Sequence, residues 1–296
     1  MNFAESRKWS YRLCNLIIML LMTAIMLVTI YPLYYTMCAS FSDARALLRN
    51  NQLLLMPLQP VTLDGYRTVL SNFNVINSFG NTIFYVFVGT AVSMFLTIAG
   101  AFVVSRDYFL PRRFLMKAMM FTMYFGGGLI PFFFVVKNLG MYNTRWAMII
   151  PYALSTYNLI VMRSFFLSLP KALEESALLD GANDVQILVH IVLPLSVPVL
   201  AVIGMYYAVG LWNSWYPSLI FHRERKFYPL QMILREMLIL NELSASDSAA
   251  DMVEEAFNRD LIKYCTIMVA TVPILVVYPF LQRYFVKGVM IGAIKG

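Results

Sequence analysis

Side chains able to do chemistry crowd into one stretch of this sequence. Residues 174–200 read EESALLDGANDVQILVHIVLPLSVPVL and set Glu174, Glu175, Asp180 and Asp184 among apolar residues, with Gly181, Pro194 and Pro198. Clustered carboxylates suggest general acid–base work or a cation site. The spacing argues against both. Glu174 and Glu175 are neighbours, so on a helix they point about 100° apart and do not share a ligand. The chain has only two histidines, His190 and His222, and three scattered cysteines, Cys14, Cys38 and Cys265. The cysteines lie in or at the edges of apolar runs, where a small buried side chain is the default. Neither a disulfide framework nor a metal site is expected, and no catalytic residue. A G-x-x-x-x-G-K-[ST] phosphate loop is missing, and the tail GVMIGAIKG has the wrong spacing and no preceding strand. ATP chemistry, if coupled to this chain, would lie on another one.

The same stretch carries strong local signals. Pro170 suits a helix's first turn, and Glu174 and Glu175 follow where the helix dipole favours negative charge. That helix should run to Asp180 and end at Gly181, which tolerates the left-handed conformation. Asn183 with Gln186 has the pattern of a capping box opening a second helix, which reads through Leu193 to Pro194. Two readings remain for this helix–turn–helix. It is a plain amphipathic surface helix, or it is a docking element whose small residues (Ser176, Ala177, Gly181, Ala182) let it enter a partner's groove closely.

The elements that must position it are membrane helices. Of 296 residues, 60% are hydrophobic and 13% charged, against about 25% charged in soluble domains. Apolar runs cover about 16–39, 79–104, 114–136, 146–167, 193–216 and 261–285, each near the ~20 residues that cross hydrocarbon. The first is too long for the core of a signal peptide. Six spans put both termini on one side. The short basic connection SRDYFLPRRFLMK, with Arg106, Arg112, Arg113 and Lys117, and the basic N-terminus assign that side to the cytoplasm. Lys and Arg totals on the two sides are nearly equal, but the largest outer group sits in one long loop, 217–260, and long loops count little in this rule. The net charge of +7 is then flanking charge on membrane helices rather than a nucleic-acid surface. The outer segment 40–78 reads as folded. In the loop 217–260, YPLQMILREMLIL reads as an amphipathic helix lying at the surface, followed by the polar, acidic NELSASDSAADMVEE.

The acidic stretch resembles the coupling motif, the EAA loop, of permease subunits of binding-protein-dependent ABC importers. That pattern is Glu-Ala-Ala, three residues, Gly, nine residues, then Ile-x-Leu-Pro. This chain has Glu175-Ser176-Ala177, Gly181 and Ile191-Val192-Leu193-Pro194 at those spacings, with serine where alanine is usual. Its extended form is similar to the sugar-uptake branch. NSFGNTIFYVFVGT, FGGGLIPFFFVVKNLGMYNTRWAMIIP and YFVKGVMIGAIKG resemble permeases for oligosaccharides or more complex glycans, such as alginate-type importers.

The resemblance implies an all-α integral membrane protein of the type I ABC importer permease fold, one domain over 1–296, with a cytoplasmic coupling loop at 168–194. It implies a bacterial inner-membrane location and a heterodimer with a homologous second permease. Two ATP-binding subunits would hold ATP and Mg, a soluble binding protein would deliver a carbohydrate, and no cofactor would sit on this chain. Glu175 and Gly181 carry over as coupling residues, with Glu174, Ala177, Asp180 and Ala182 beside them. The cargo would be an oligosaccharide or polysaccharide, acidic ones such as alginate included.

Tyr152, Tyr157 and Asn158 in the fourth run, and Trp212, Asn213 and Trp215 at the end of the fifth, are candidates to line its path. Aromatics at span ends also serve as interface anchors, and a buried amide also bonds between helices. Arg163 and Lys137 are the cations nearest that path. Gly126, Gly127 and Gly128 permit close packing or a helix break. The rival readings are a membrane-embedded enzyme and a secondary transporter, each with an unrelated acidic surface helix. The first needs paired acids, and Glu254/Glu255 is the only other pair. The second usually shows an ionisable residue deep in a span.

Overall fold

The computed structural model describes residues 3–49, 53–243 and 261–279. The acidic loop segment 244–255 and the tail 284–296 lie outside the described residues. Among those residues the chain is helical and has no strand. It divides into two compact units, residues 1–71 with 237–271, and residues 72–236 with 272–296.

The first unit holds α1 (Phe3–Ser40), α2 (Ala44–Arg49) and α3 (Asp64–Ser71). The long apolar stretch Tyr11–Ser40 of α1 exposes nearly all of its side chains before Cys38. Such a face is stable in hydrocarbon, not in water. Thr23, Thr29 and Thr36 return their hydroxyls to the carbonyls four residues back, so these three threonines offer no open hydroxyl to hydrocarbon. The segment after α1 is folded, as its composition suggested. Ser42 Oγ donates to the Cys38 carbonyl and accepts from the Leu58 amide, and the Ser40 and Tyr66 hydroxyls meet at 2.8 Å.

The second unit is built around α4 (Phe73–Ser105), capped by Asn72, whose side chain accepts from the Asn74 amide. Along it pack α7 (Thr156–Leu167) and α11 (Val197–Trp212). Their shared core is Ala101, Phe102, Leu159, Met162, Phe166, Val199 and Ile203, with Ile187 and Val192 from the acidic stretch.

Three of the apolar runs are not single straight helices. The run 114–136 is α5 (Arg112–Tyr124) and α6 (Leu129–Asn138), which meet at 119°. The glycine run makes the break. Gly128 has φ +82° and ψ 170°, which only glycine adopts without strain, and among the described residues no atom lies within 4 Å of where a Cβ would stand on any of the three, so they do not serve close packing within this chain. The run 146–167 is helical in the α sense only from Thr156. Before it come two 3₁₀ turns, Arg145–Met148 and Ile150–Tyr152, the second containing Pro151, which lacks an amide donor. The run 193–216 bends by 85° between α10 (Leu193–Leu195) and α11, around Ser196 and between Pro194 and Pro198.

By length and composition, three helices can cross a membrane: Tyr11–Ser40, Phe73–Ser105 and Leu261–Pro279. The number rises to five if each bent pair is one span. The helix expected at the surface of the loop 217–260, Leu230–Leu243, is instead drawn into the protein. Leu230, Met232, Ile233 and Leu234 are buried.

At the N-terminal half of α4 the second unit closes in a dense polar cap. Asn81 donates to the carbonyls of Lys226 and Tyr228 at 2.7 and 3.1 Å, and the Tyr85 hydroxyl donates to that of Phe227 at 2.7 Å. His222 stacks on Tyr85. Its Nε2 faces the Thr144 carbonyl at 3.0 Å and so carries the proton, which leaves Nδ1 to accept from the Ser218 hydroxyl at 3.0 Å. Burial pushes the His222 pKa below the ordinary imidazole value.

Candidate coupling site

The acidic stretch folds by local chemistry. Pro170 stands just before α8 (Lys171–Leu179), and Asp180 closes it. Gly181 has φ +80°. Its amide donates to the Leu178 carbonyl at 3.1 Å, and the Ala182 amide to that of Ala177 at 2.9 Å, the paired bonds of a Schellman end. Asn183 then opens α9 (Asp184–Ile187) with the full capping box. The Gln186 amide donates to Asn183 Oδ1 at 2.9 Å, and the Asn183 amide to Gln186 Oε1 at 2.8 Å. One π turn, Leu188–Val192, continues the chain to Leu193 and Pro194. The turn between two helices is thus made with its backbone donors satisfied, which makes it stiff.

The candidate coupling residues divide into two faces. Ala177 and Ala182 pack half-buried against the core around Ile187, and Glu174 is also turned inward. Glu175, Asp180 and Gly181 are exposed. Beside them stand large apolar side chains in the open: Leu179 is 89% exposed, Val185 69% and Leu178 54%. The tip therefore presents apolar side chains flanked by acids, on a stiff base.

The base is held by charge. Arg106, just past the end of α4, is 9% exposed, lies over the Phe102 ring at 4.0 Å and donates from Nη1 to Glu174 Oε2. Asp107 takes Arg112 on one oxygen and Lys171 Nζ on the other, the latter at 2.9 Å. These two cations, Lys171 first, pull the Asp107 carboxyl down to about 2. The Lys171 ammonium is pushed up in return by the same bond. The Tyr108 hydroxyl donates to Asp184 Oδ1 at 2.7 Å, and burial with that carboxylate pushes the phenol up to about 12. Arg163, taken from the sequence as a candidate cation for an acidic cargo, donates from Nε to the Val104 carbonyl at 3.0 Å beside this cluster. Lys137 is exposed. Sequence reasoning used Arg106 and its neighbours only for orientation. The signal that could have found their role was charge complementarity between a basic loop and an acidic loop assigned to one side.

The six candidates for a cargo path sit in different environments. Tyr152 lies in a 3₁₀ turn with its ring against Phe132 at 5.7 Å, and Tyr157 is 57% exposed on the first turn of α7. Asn158 is buried, and its backbone N–H donates to Ser155 Oγ at 3.4 Å, the cap of α7. Trp212 is buried edge-on against Phe79 at 6.1 Å, which joins α11 to α4, and Asn213 donates to the Val209 carbonyl at the end of α11. Trp215 carries Arg235 over its ring at 4.4 Å. A polar knot that the sequence did not suggest lies between α4, α7 and α11. The Tyr207 hydroxyl meets Thr97 Oγ1 at 2.7 Å and accepts from the Ser155 amide at 3.1 Å.

Comparisons with known proteins bear on the family and the fold. The family described as "Binding-protein-dependent transport system inner membrane component" matches residues 110–216, which contain the whole loop. The Protein LplC of Bacillus subtilis is 39% identical over 287 residues, covering 97% of this chain and 95% of its own length. The polygalacturonan/rhamnogalacturonan transport system permease protein YtcP of Bacillus subtilis is 37% identical over 285 residues, 96% of this chain and 99% of its own. Among solved structures, a chain of a bacterial ABC transporter involved in the import of the acidic polysaccharide alginate superposes with a TM-score of 0.85. It is 29% identical, and the match covers 93% of this chain and 98% of that one. The chain belongs to the binding-protein-dependent transport system inner membrane components, as a carbohydrate ABC importer permease of the type I fold.

Proposed function

We propose that this chain forms half of the translocation path of an importer for uronate-rich oligosaccharides, and that ATP-binding subunits drive it through the turn at Gly181. The observation that carries the coupling part is the tip itself. Leu179 is 89% exposed on a turn whose backbone is fully capped. An exposed leucine on a mobile loop is unremarkable, but on a stiff turn beside Leu178 and Val185 it forms an apolar knob suited to a partner's cleft. Glu175, Asp180 and Gly181 flank that knob and meet the ATP-binding subunit. Glu174, Ala177 and Ala182 hold the turn from behind. ATP and Mg belong to those subunits, a second permease completes the path, and the loop faces the cytoplasm with both termini.

The cargo class is supported by two relatives that handle acidic polymers, one for polygalacturonan and rhamnogalacturonan and one for alginate. All three polymers are built from or contain uronic acids. The test is ATP hydrolysis by the purified complex with its binding protein and four probes: oligogalacturonate, alginate oligosaccharide, arabino-oligosaccharide and galacto-oligosaccharide. Stimulation by one or both uronates and not by the neutral sugars is the expected result. Stimulation by the neutral probes alone refutes the uronate reading.

A further inference from the structure

Three consecutive residues after α4 reach three different points of the coupling loop. Arg106 bonds Glu174 near the middle of α8, Asp107 bonds Lys171 at its start, and Tyr108 bonds Asp184 at the start of α9. The tethers thus grip both helices, one on each side of the turn at Gly181. The gripping segment is itself closed. Arg112 Nη1 donates back to the Arg106 carbonyl at 3.1 Å as well as to Asp107, so 106–112 forms a small ring of bonds. Arg163 of α7 holds the Val104 carbonyl immediately before it.

The Arg106 guanidinium is almost wholly buried, its Nε is without a hydrogen-bond partner, and Glu174 is the carboxylate it bonds. A buried charge with one partner is tightly tied to that partner, because losing it leaves the charge unpaired away from water. The pair spans 68 residues of sequence and joins α8 to the end of α4, on which α7 and α11 pack.

We infer that Arg106 is a positioning residue of transport, with Tyr108 as its second hold: the 106–108 segment clasps both helices of the coupling loop and passes their movement to α4. This rests on the coupling reading above. Movement at the tip then has a route to the centre of the second unit that does not depend on the chain running on through α10 and its bend at Ser196. Asp107, exposed and shared between Arg112 and Lys171, contributes least to the clasp, because such pairs are screened by water and salt.

The experiment uses the whole complex with its binding protein and whichever of the four probes above stimulates the parent. It measures basal hydrolysis, stimulated hydrolysis and sugar taken up per ATP. In Arg106→Ala the stimulation and the uptake per ATP fall by about tenfold, a size ordinary for coupling between sites. Basal hydrolysis and co-purification of the ATP-binding subunits stay at the parental level. Arg106→Lys recovers part of the loss, and the exchange R106E with E174R recovers more than either single change. A merely structural arginine would lower complex yield and leave uptake per ATP in the surviving complex unchanged, which overturns the inference.

Should Arg106→Ala not assemble, Tyr108→Phe, Asp184→Ala and their double variant decide, since Tyr108 is 63% exposed and dispensable for the core. Equal losses of stimulation in both singles and the double support the clasp. Parental behaviour, or losses that add, overturns it. A parent complex whose hydrolysis none of the four probes stimulates removes the coupling reading and this inference together. A stimulated parent with an unaffected Arg106→Ala removes the inference alone.

Discussion

Gly181 is the position where a single substitution tests the architecture of the loop most cleanly. Its φ is +80°, and a Cβ built there meets nothing within 4 Å. Replacement therefore meets no steric crowding, and its whole cost is conformational. For an ordinary L-residue the left-handed region costs about 1–2 kcal/mol. A cost of that size lowers the population of the capped turn by roughly five- to thirtyfold relative to opened forms. The amides that report it are those of Gly181 and Ala182, which donate to the Leu178 and Ala177 carbonyls. In the chain freed of its ATP-binding subunits, hydrogen exchange over the peptide 171–188 should quicken by that factor in Gly181→Ala and by the same factor in Gly181→Leu, because the site is open within this chain. Gly181→Asn should lie between them and the parent, since asparagine tolerates this region better. Exchange at the parental rate in the alanine variant would refute the reasoning. So would a leucine variant far worse than the alanine one, which would mean that the site is crowded.

Further predictions concern pH and the interior. The Asp107 carboxyl is held down to about 2 by Lys171 and Arg112. Its contribution to holding α8 is therefore complete above about pH 4, the ordinary aspartate value, and disappears as pH falls toward 2. Exchange at Lys171–Glu174 should rise over that window in the parent and show no such step in Asp107→Asn. His222 has the opposite kind of shift, a lowered imidazole value due to burial. Its neutral form is favoured in the fold, so stability is full above about pH 6.5 and is lost as pH falls through that value. The Tm in detergent should drop on that acid side in the parent, and a flat Tm across it contradicts the buried neutral ring. Tyr207→Phe removes the acceptor of the Ser155 amide and the partner of Thr97, and should cost about 1–3 kcal/mol, read as a lowered Tm in detergent. An unchanged Tm would mean that another group takes up the Ser155 amide.

The parts of this loop that could be read from sequence are those made by bonds a few residues long. Asn183 and Gln186 cap one helix and Gly181 ends the other, and each acts on backbone groups within the same turn. Those signals do not depend on the rest of the fold. The clasp could not be read that way, because Arg106 and Glu174 are 68 positions apart and only the packing of α7 on α4 brings them together. The same limit applied to the spans. Counting apolar residues marks the runs 114–136 and 193–216 but is blind to direction, so bends of 119° and 85° left no trace in the count. The glycine run allows a break at the first, without saying whether neighbouring helices would straighten it, and Pro194 reads only as the head of the fifth run, not as part of a bend. Trp212 shows a position whose burial the apolar count did not reveal. Its place near the end of an apolar run suggested an interface anchor or a sugar platform, and it is a buried contact between α11 and α4.

Leu179 tests the central claim most directly, because at 89% exposure it adds nothing to this chain's own core. Leu179→Glu should insert and fold as the parent does. Burying a leucine side chain at an interface is worth about 1.5–3 kcal/mol. A charge in its place should therefore strip the ATP-binding subunits from the purified complex and abolish binding-protein-stimulated hydrolysis. If Leu179→Glu instead retains those subunits and hydrolyses ATP like the parent, the tip is not the docking element and the coupling account fails.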